Sequence, residues 1–294
     1  MKELVVLSGK GGTGKTSIVA SFASMADRPV VADCDVDAAD LHLVLSHTLA
    51  STAQFCGAKC AVLDPSACSG CGRCEETCRF DAITMKETGK QPRPEIDPIA
   101  CEGCGACTHT CPFGALRLEE VPTGDWFISE SRVGPLVHAR LAAGQEASGR
   151  LVTLVRTRAQ AIAKREKRGL VLIDGPPGIG CPVIASMTGA DLAFVVAEPT
   201  VAGLHDLDRV IELASRLNVP VSAAINKWDV SPDTSNRIEQ LCCRHSVPVL
   251  GKVPYDEDVT AAQIAGLPVV DYSRGRASRA IEDLWSKLQK DLVS

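Results

Sequence analysis

Two blocks of cysteines constrain this chain more tightly than anything else in it. Cys68, Cys71, Cys74 and Cys78 recur with identical spacing as Cys101, Cys104, Cys107 and Cys111. The recurrence reaches past the cysteines: at the same offset of 33 residues Asp64-Pro65 maps to Asp97-Pro98, Phe80 to Phe113 and Ile83 to Leu116. A half of this size cannot bury a core by itself, so the two halves must pack on each other. Met1–Leu7 lacks a signal-peptide apolar core and cleavage site, and the chain is expected in the cytoplasm. There, clustered thiols hold metal rather than form disulfides.

The rest of the chain has a different rhythm. Lys2–Leu7 reads as a buried parallel strand, Gly9–Gly14 as a glycine-rich loop, Thr16–Met25 as a helix and Pro29–Ala32 as a second strand ending at Asp33. The pattern breaks at about residues 50–60 and resumes after about 121. Strands are predicted at Leu170–Ile173, Ala193–Ala197, Val221–Ile225 and Val249–Val253, with helices at Leu204–Leu217 and Ala277–Leu292. Strand–helix alternation of this kind predicts an α/β fold with a mostly parallel sheet flanked by helices. It divides the chain into 1–55 and 122–294 as one α/β domain and 56–121 as an inserted cysteine-rich domain.

Composition removes several functions. With 45% hydrophobic residues the chain can bury a core, and no apolar run approaches the roughly 18 residues of a spanning helix. A net charge of -5 and 4% aromatic residues argue against binding nucleic acid by bulk charge or stacking. Ile281, Leu284, Trp285 and Leu288 form one apolar stripe among mixed charges, which fits core packing and makes a membrane role unexpected. Arg132–His138 reads as a post-insert loop, Arg156–Arg168 as a solvated helix face, and the six histidines show no ligand spacing.

Gly9-Lys10-Gly11-Gly12-Thr13-Gly14-Lys15-Thr16 fits G-x-x-x-x-G-K-[ST] between a strand and a helix. Glycines let backbone N–H groups converge on phosphate oxygens, Lys15 can reach the β- and γ-phosphates, and the Thr16 hydroxyl can ligate Mg²⁺. Ser17 completes the loop. The extra lysine, Lys10, makes the motif resemble the deviant KGGxGKT loop of the MinD/ParA family of P-loop ATPases. That resemblance implies that Lys10 reaches the nucleotide of a partner subunit, that Asp35 of Asp33-Cys34-Asp35-Val36-Asp37 orients or activates the attacking water, and that Asp33 lies near the Mg²⁺ shell. Asp174, in the segment that resembles Walker B, would hold Mg²⁺ through water, and the N–H of Gly178 in Gly175-Pro176-Pro177-Gly178 would sense the γ-phosphate. Asn226-Lys227-Trp228-Asp229 would contact adenine through Asn226, with Pro254 closing the other side of the base; the four residues by themselves fit GTP as well.

The cysteine blocks, the second ending in Cys111-Pro112, resemble bacterial two-cluster ferredoxins, where each block supplies three ligands to one cubane and one to the other. This implies one [4Fe–4S] cluster on Cys68, Cys71, Cys74 and Cys111, and a second on Cys78, Cys101, Cys104 and Cys107. Arg79 departs from the pattern, standing where proline is usual. Cys181 lies seven residues after Asp174, the offset of a bridging-cluster cysteine in the nitrogenase iron protein, but no second such ligand is identifiable. The whole resembles MinD-superfamily ATPases with an inserted ferredoxin domain. The expected cofactors are ATP/ADP, Mg²⁺ and two [4Fe–4S] clusters. The expected partners are a second copy or a paralogue, joined in an ATP-dependent dimer, and a redox or cluster-accepting protein.

Overall fold

An apolar run covered on both faces marks a central parallel strand, and every residue of Lys2–Ser8 after Lys2 is buried. The computed structural model describes residues 1–89, 91–142 and 148–293. The chain begins β1 (Lys2–Ser8), α1 (Lys15–Met25), β2 (Val30–Asp33), α2 (Leu41–Val44) and β3 (His47–Leu63). The cysteine-rich stretch follows as α3 (Arg73–Thr77), β4 (Ile83–Thr88), β5 (Gln91–Ile96), α4 (Ala106–Thr110) and β6 (Leu116–Ser131). Then come β7 (Gly134–Leu141), α5 (Ser148–Arg165), β8 (Leu170–Pro177), α6 (Cys181–Met187), β9 (Leu192–Ala197) and α7 (Val201–Arg216). The chain closes with β10 (Val221–Asn226), α8 (Pro232–Arg244), β11 (Val249–Val253), α9 (Glu257–Ile264), α10 (Val269–Tyr272) and α11 (Arg276–Val293).

These residues form two units. One comprises Met1–Ala53, Trp126–Arg140 and the chain from Ser148 onward; the other is built on Gln54–Asp125. The chain passes from one to the other within β3 and within β6.

The sheet runs in the order β11-β10-β9-β1-β8-β2-β7-β6-β3. β1 pairs in parallel with β8 on one side and β9 on the other. β8 continues to β2 and β2 to β7, while β9 continues to β10 and β10 to β11, all parallel. The chain leaves β1 for β2 toward one edge and leaves β8 for β9 toward the other, so the loops at the carboxyl ends of these strands part to leave a crevice. The P-loop follows β1 into it. Behind the loop, Phe22 of α1 packs on Phe194 and Trp285 with ring centroids 5.6 and 5.0 Å apart. Ile281, Leu284, Trp285 and Leu288 of α11 are all buried there.

Two local expectations are corrected. Arg132–His138 is not a loop: from Gly134 it is β7, with Leu136 opposite Val31 and Val137 opposite Ala32. Pro135 masked the strand in sequence, yet proline is tolerated near a strand's first residue, and Pro135–Ala139 are buried without interruption. Nor is the basic face of α5 uniformly solvated. Arg156 is 7% exposed; its Nε donates to Glu3 Oε2 at 2.8 Å and its Nη1 to the Ala185 carbonyl at 3.1 Å.

The fold also brings His138 onto His42 and His47, about ninety residues earlier in the chain. His138 stacks on His42 with ring centroids 5.2 Å apart, and His47 sits 5.8 Å from His138. Burial, then His42 and His47, push His138 down to about 4. The unfolded chain, with a histidine near ~6.5, therefore takes up the proton first. The stability tied to neutral His138 is present above pH ~6.5 and lost as the pH falls toward ~4, on the order of 3 kcal/mol. The melting temperature should fall across that window, and His138→Gln should flatten the fall. A variant whose melting curve tracks the parent at every pH would refute this role.

Candidate functional site

The P-loop is shaped by close approach. Gly14 has φ 88°, and a Cβ there would lie 2.3 Å from Asn226 Nδ2, so no side chain fits. Asn226 Nδ2 donates to the Thr13 carbonyl at 2.7 Å, and Lys227 Nζ donates to the Gly12 carbonyl at 3.0 Å. The loop is thus fastened to the end of β10. α1 begins at Lys15, which aims its first N–H groups, with those of the loop, at a single region. The loop, Asp35, Pro177, Asn226, Pro254 and Tyr255 line one cleft of about 820 Å³. That volume lies within the range for small-molecule sites, about 300–1,000 Å³.

At the base of the cleft the Lys15 ammonium is paired with Asp174 Oδ1 and lies 4.0 Å from Asp35 Oδ2. Burial opposes the charge on Lys15, but Asp174, Asp35 and Asp33 outweigh it and hold the ammonium above its ordinary value. Asp33 is fully buried; burial and then Asp174 raise its carboxyl well above the usual range. Its oxygens accept from the backbone N–H groups of Asp35 and Leu41, both at 3.1 Å, so it also fixes the Asp35–Leu41 segment. Asp35 is pushed up to about 6, first by burial, against Lys15 and with Asp174, Asp37 and Asp40.

Such crowded carboxylates suit a divalent cation. Asp174 Oδ2 and Thr13 Oγ1 are buried without a hydrogen-bond partner, which is the signature of a group awaiting an ion, water or phosphate oxygen. Of the residues expected around Mg²⁺, Asp174 keeps a free buried oxygen that fits the ion, whereas both oxygens of Asp33 already accept from backbone N–H groups and nothing marks Thr16 apart from its place in the cleft.

Lys10 and Lys227 converge on one carboxylate. Lys10 Nζ lies 2.7 Å from Glu198 Oε2 and Lys227 Nζ 2.9 Å from Glu198 Oε1. Burial acts to raise Glu198, but the two lysine hydrogen bonds prevail and lower it. Glu198 directly follows the strand predicted at Ala193–Ala197, and no spacing in the sequence ties it to Lys10. Gly178 has φ 89°, and its N–H donates to the Ser8 carbonyl at 3.0 Å. Ser17 Oγ accepts from Gln263 Nε2 at 2.9 Å. Asp229 Oδ1 accepts the Tyr255 backbone N–H at 2.7 Å, which leaves this carboxylate already engaged.

In the smaller unit the eight cysteines fall into two sets. Cys68, Cys71, Cys74 and Cys111 line one cavity; Cys78, Cys101, Cys104 and Cys107 line another. Each cavity draws three cysteines from one block and one from the other. The 33-residue repeat is obeyed in space. Asp64 N–H donates to the Ala115 carbonyl at 2.7 Å, and its counterpart Asp97 donates to Ala82 at 2.8 Å. A Cβ on Gly70 would lie 2.5 Å from the Pro92 carbonyl oxygen, and one on Gly103 2.2 Å from that of Lys59. Each half therefore leans on the other, over a core of Ala61, Cys74, Ile83, Cys107 and Leu116.

Among the described residues no three His, Cys, Asp or Glu side chains converge on a single ion. A cubane differs from an ion in that each thiolate meets its own iron, so its ligands surround a space instead of meeting at a point. The donor chemistry fits: backbone N–H groups of Gly70 and Ala115 point at the sulfurs of Cys68 and Cys111, both at 3.4 Å. The Arg73 backbone N–H, then Ser69, draw the Cys71 thiol below its ordinary value. Cys181, at the start of α6, is exposed. No helix among the described residues is long and apolar enough to cross a membrane.

Comparison with known proteins agrees with the larger unit. A family model described as the CobQ/CobB/MinD/ParA nucleotide binding domain matches residues 4–269. An uncharacterised protein of Methanocaldococcus jannaschii is 32% identical over 292 residues, covering 98% of this chain and 96% of that protein. The iron-sulfur cluster carrier protein of Pyrococcus horikoshii is 28% identical over 134 residues, 42% of this chain and 45% of the carrier. Among solved structures, MinD of Pyrococcus horikoshii complexed with Mg-ADP aligns with a TM-score of 0.58 at 18% identity, covering 98% of this chain and 96% of that one. The MinC:MinD complex of Aquifex aeolicus gives 0.57 at 17% identity, covering 99% and 96%. At such identities the structural likeness speaks for the fold: an α/β P-loop NTPase with a mostly parallel sheet. With its family model spanning most of the sequence and its P-loop seated at the carboxyl end of β1, the chain belongs to the CobQ/CobB/MinD/ParA nucleotide-binding family.

Proposed function

We propose that this protein is a slow, Mg²⁺-dependent ATPase in which a nucleotide-driven dimer repositions two [4Fe–4S] clusters to gate electron transfer to a partner protein. The observation that carries the reading is the sorting of eight cysteines into two crossed three-plus-one cavities, in one chain with a P-loop site. The chain links the two through β3 and β6.

The residues divide the work. Gly9, Gly11, Gly12, Thr13, Gly14, Lys15, Thr16 and Ser17 cradle the phosphates, with Asn226 and Pro254 at the base. Asn226 contacts the base and ATP is the nucleotide, as the family resemblance implies; Asp229 gives one of its two oxygens to the Tyr255 N–H. Asp35 orients the attacking water. Mg²⁺, when bound, neutralises charge on the β- and γ-oxygens. Lys15 must leave Asp174 for the phosphates, and the Gly178 N–H must leave Ser8, so both are two-position elements that a γ-phosphate biases. Lys10 must likewise exchange Glu198 for the nucleotide of the second subunit.

Anaerobic isolation with iron and sulfide counts, then EPR with and without ATP-Mg²⁺, tests the reading. Spectra and partner reduction that ignore nucleotide would remove the gating. Lys10→Ala should lose ATP-dependent dimerisation and slow hydrolysis at least ~100-fold, as loss of a charge-stabilising group does. Normal dimers and turnover in that variant would contradict the trans role, and tighter binding of GTP than ATP would overturn the base assignment.

The similarity to iron-sulfur cluster carriers favours one other reading, in which the chain delivers clusters. Transfer of labelled iron to an apo-acceptor would select it.

A further inference from the structure

The two cysteine cavities share a plan but not a charge. Call the set of Cys68, Cys71, Cys74 and Cys111 the first centre, and the set of Cys78, Cys101, Cys104 and Cys107 the second. Nearly every residue walling the first has its counterpart 33 positions away in the wall of the second. Two of these paired positions differ in charge. Ser69 of the first wall is replaced by Glu102 in the second, and Arg73 of the first by Ala106. The first wall thus carries one cation and no anion, and the second one anion and no cation. Arg79, which stands where Pro112 stands in the repeat, is exposed and outside both walls.

Adding an electron to a cluster adds negative charge. A neighbouring guanidinium favours that step and a neighbouring carboxylate opposes it, and net charge near the cluster is among the levers that set its potential. Arg73 and Glu102 are exposed, so solvent attenuates each effect without reversing it. Cys60, buried near this second wall, donates its S–H to the Ala61 carbonyl at 3.5 Å and brings no charge to the second centre.

We infer that Arg73 and Glu102 make the two centres unequal, the first easier to reduce than the second. In the singly reduced protein the electron then resides on the first centre: a reduced second centre is oxidised by one electron and the first is reduced by it, with no proton moved. The inference rests on the cluster reading above and gives it a direction, with entry at the second centre and exit at the first.

The test uses the full chain, isolated anaerobically, with iron and sulfide counted before an EPR-monitored redox titration. The parent should show two resolved midpoints. Glu102→Ser, which installs the residue of the first half, should raise the lower midpoint and leave the upper in place. Arg73→Ala, which installs that of the second, should lower the upper midpoint alone, and the double variant should bring the two together. Coincident midpoints in the parent, or a Glu102→Ser shift confined to the upper midpoint or absent, would overturn the inference while leaving the clusters standing. A chain without iron would instead sink the cluster reading itself.

Discussion

Lys15→Ala is expected to cost both the fold and the chemistry, and the two losses can be separated. The Lys15 ammonium is the cation closest to Asp174, which is 1% exposed, and it also faces buried Asp33. Removing one partner of a buried pair costs about 3–5 kcal/mol, because the other charge is left uncompensated. That is a large part of a typical total of ~5–15 kcal/mol, so the melting temperature should drop sharply. Hydrolysis should fall at least ~100-fold, since the same ammonium is the group placed to meet the β- and γ-phosphates. Lys15→Ala combined with Asp174→Asn removes both charges and should recover most of the stability without recovering turnover. A single variant that melts like the parent would show that Lys15 does not offset the acid cluster. A double variant that hydrolyses ATP normally would remove Lys15 from the reaction.

The P-loop was legible because its chemistry is local. Glycines, Lys15 and Thr16 are contiguous, and strand and helix flank them as the motif demands. The strand ends at Asp33, Asp174 and Asn226 were legible for the same reason, since an apolar run that stops at a polar residue is visible in one dimension. What sequence could not show was who answers whom across the fold. Glu198 binds Lys10 and Lys227 from 188 and 29 residues away, and nothing in its own neighbourhood announces that. Asp33 read as a residue near the metal, while its two backbone acceptor roles depend on the path of the chain to Leu41. Strand β7 was hidden by Pro135, and the histidine stack by the distance between His42 and His138. The cysteine sets stand between these cases. A doubled spacing carries the pairing only through the cross-over known for that pattern, and the cavities distribute the same cysteines in the same way.

That cross-over makes Cys111→Ala the other decisive variant. By position Cys111 closes the second block, so if each block held its own cluster, losing it would damage the centre on Cys101, Cys104 and Cys107. In space it lines the cavity of Cys68, Cys71 and Cys74, with its sulfur 3.4 Å from the Ala115 N–H. Cys111→Ala should therefore reproduce the defect of Cys71→Ala: iron falling from about eight to about four per chain, with one EPR signal lost and the other kept. Cys78→Ala should reproduce Cys104→Ala and spare the opposite signal. Because Cys74 and Cys107 sit in the small core and the halves lean on each other through Gly70 and Gly103, loss of one centre should loosen the unit, and melting should be followed beside the iron count. If Cys111→Ala instead copies Cys104→Ala, each block binds alone and the crossed arrangement is wrong. If all four variants keep full iron, these thiols are not ligands.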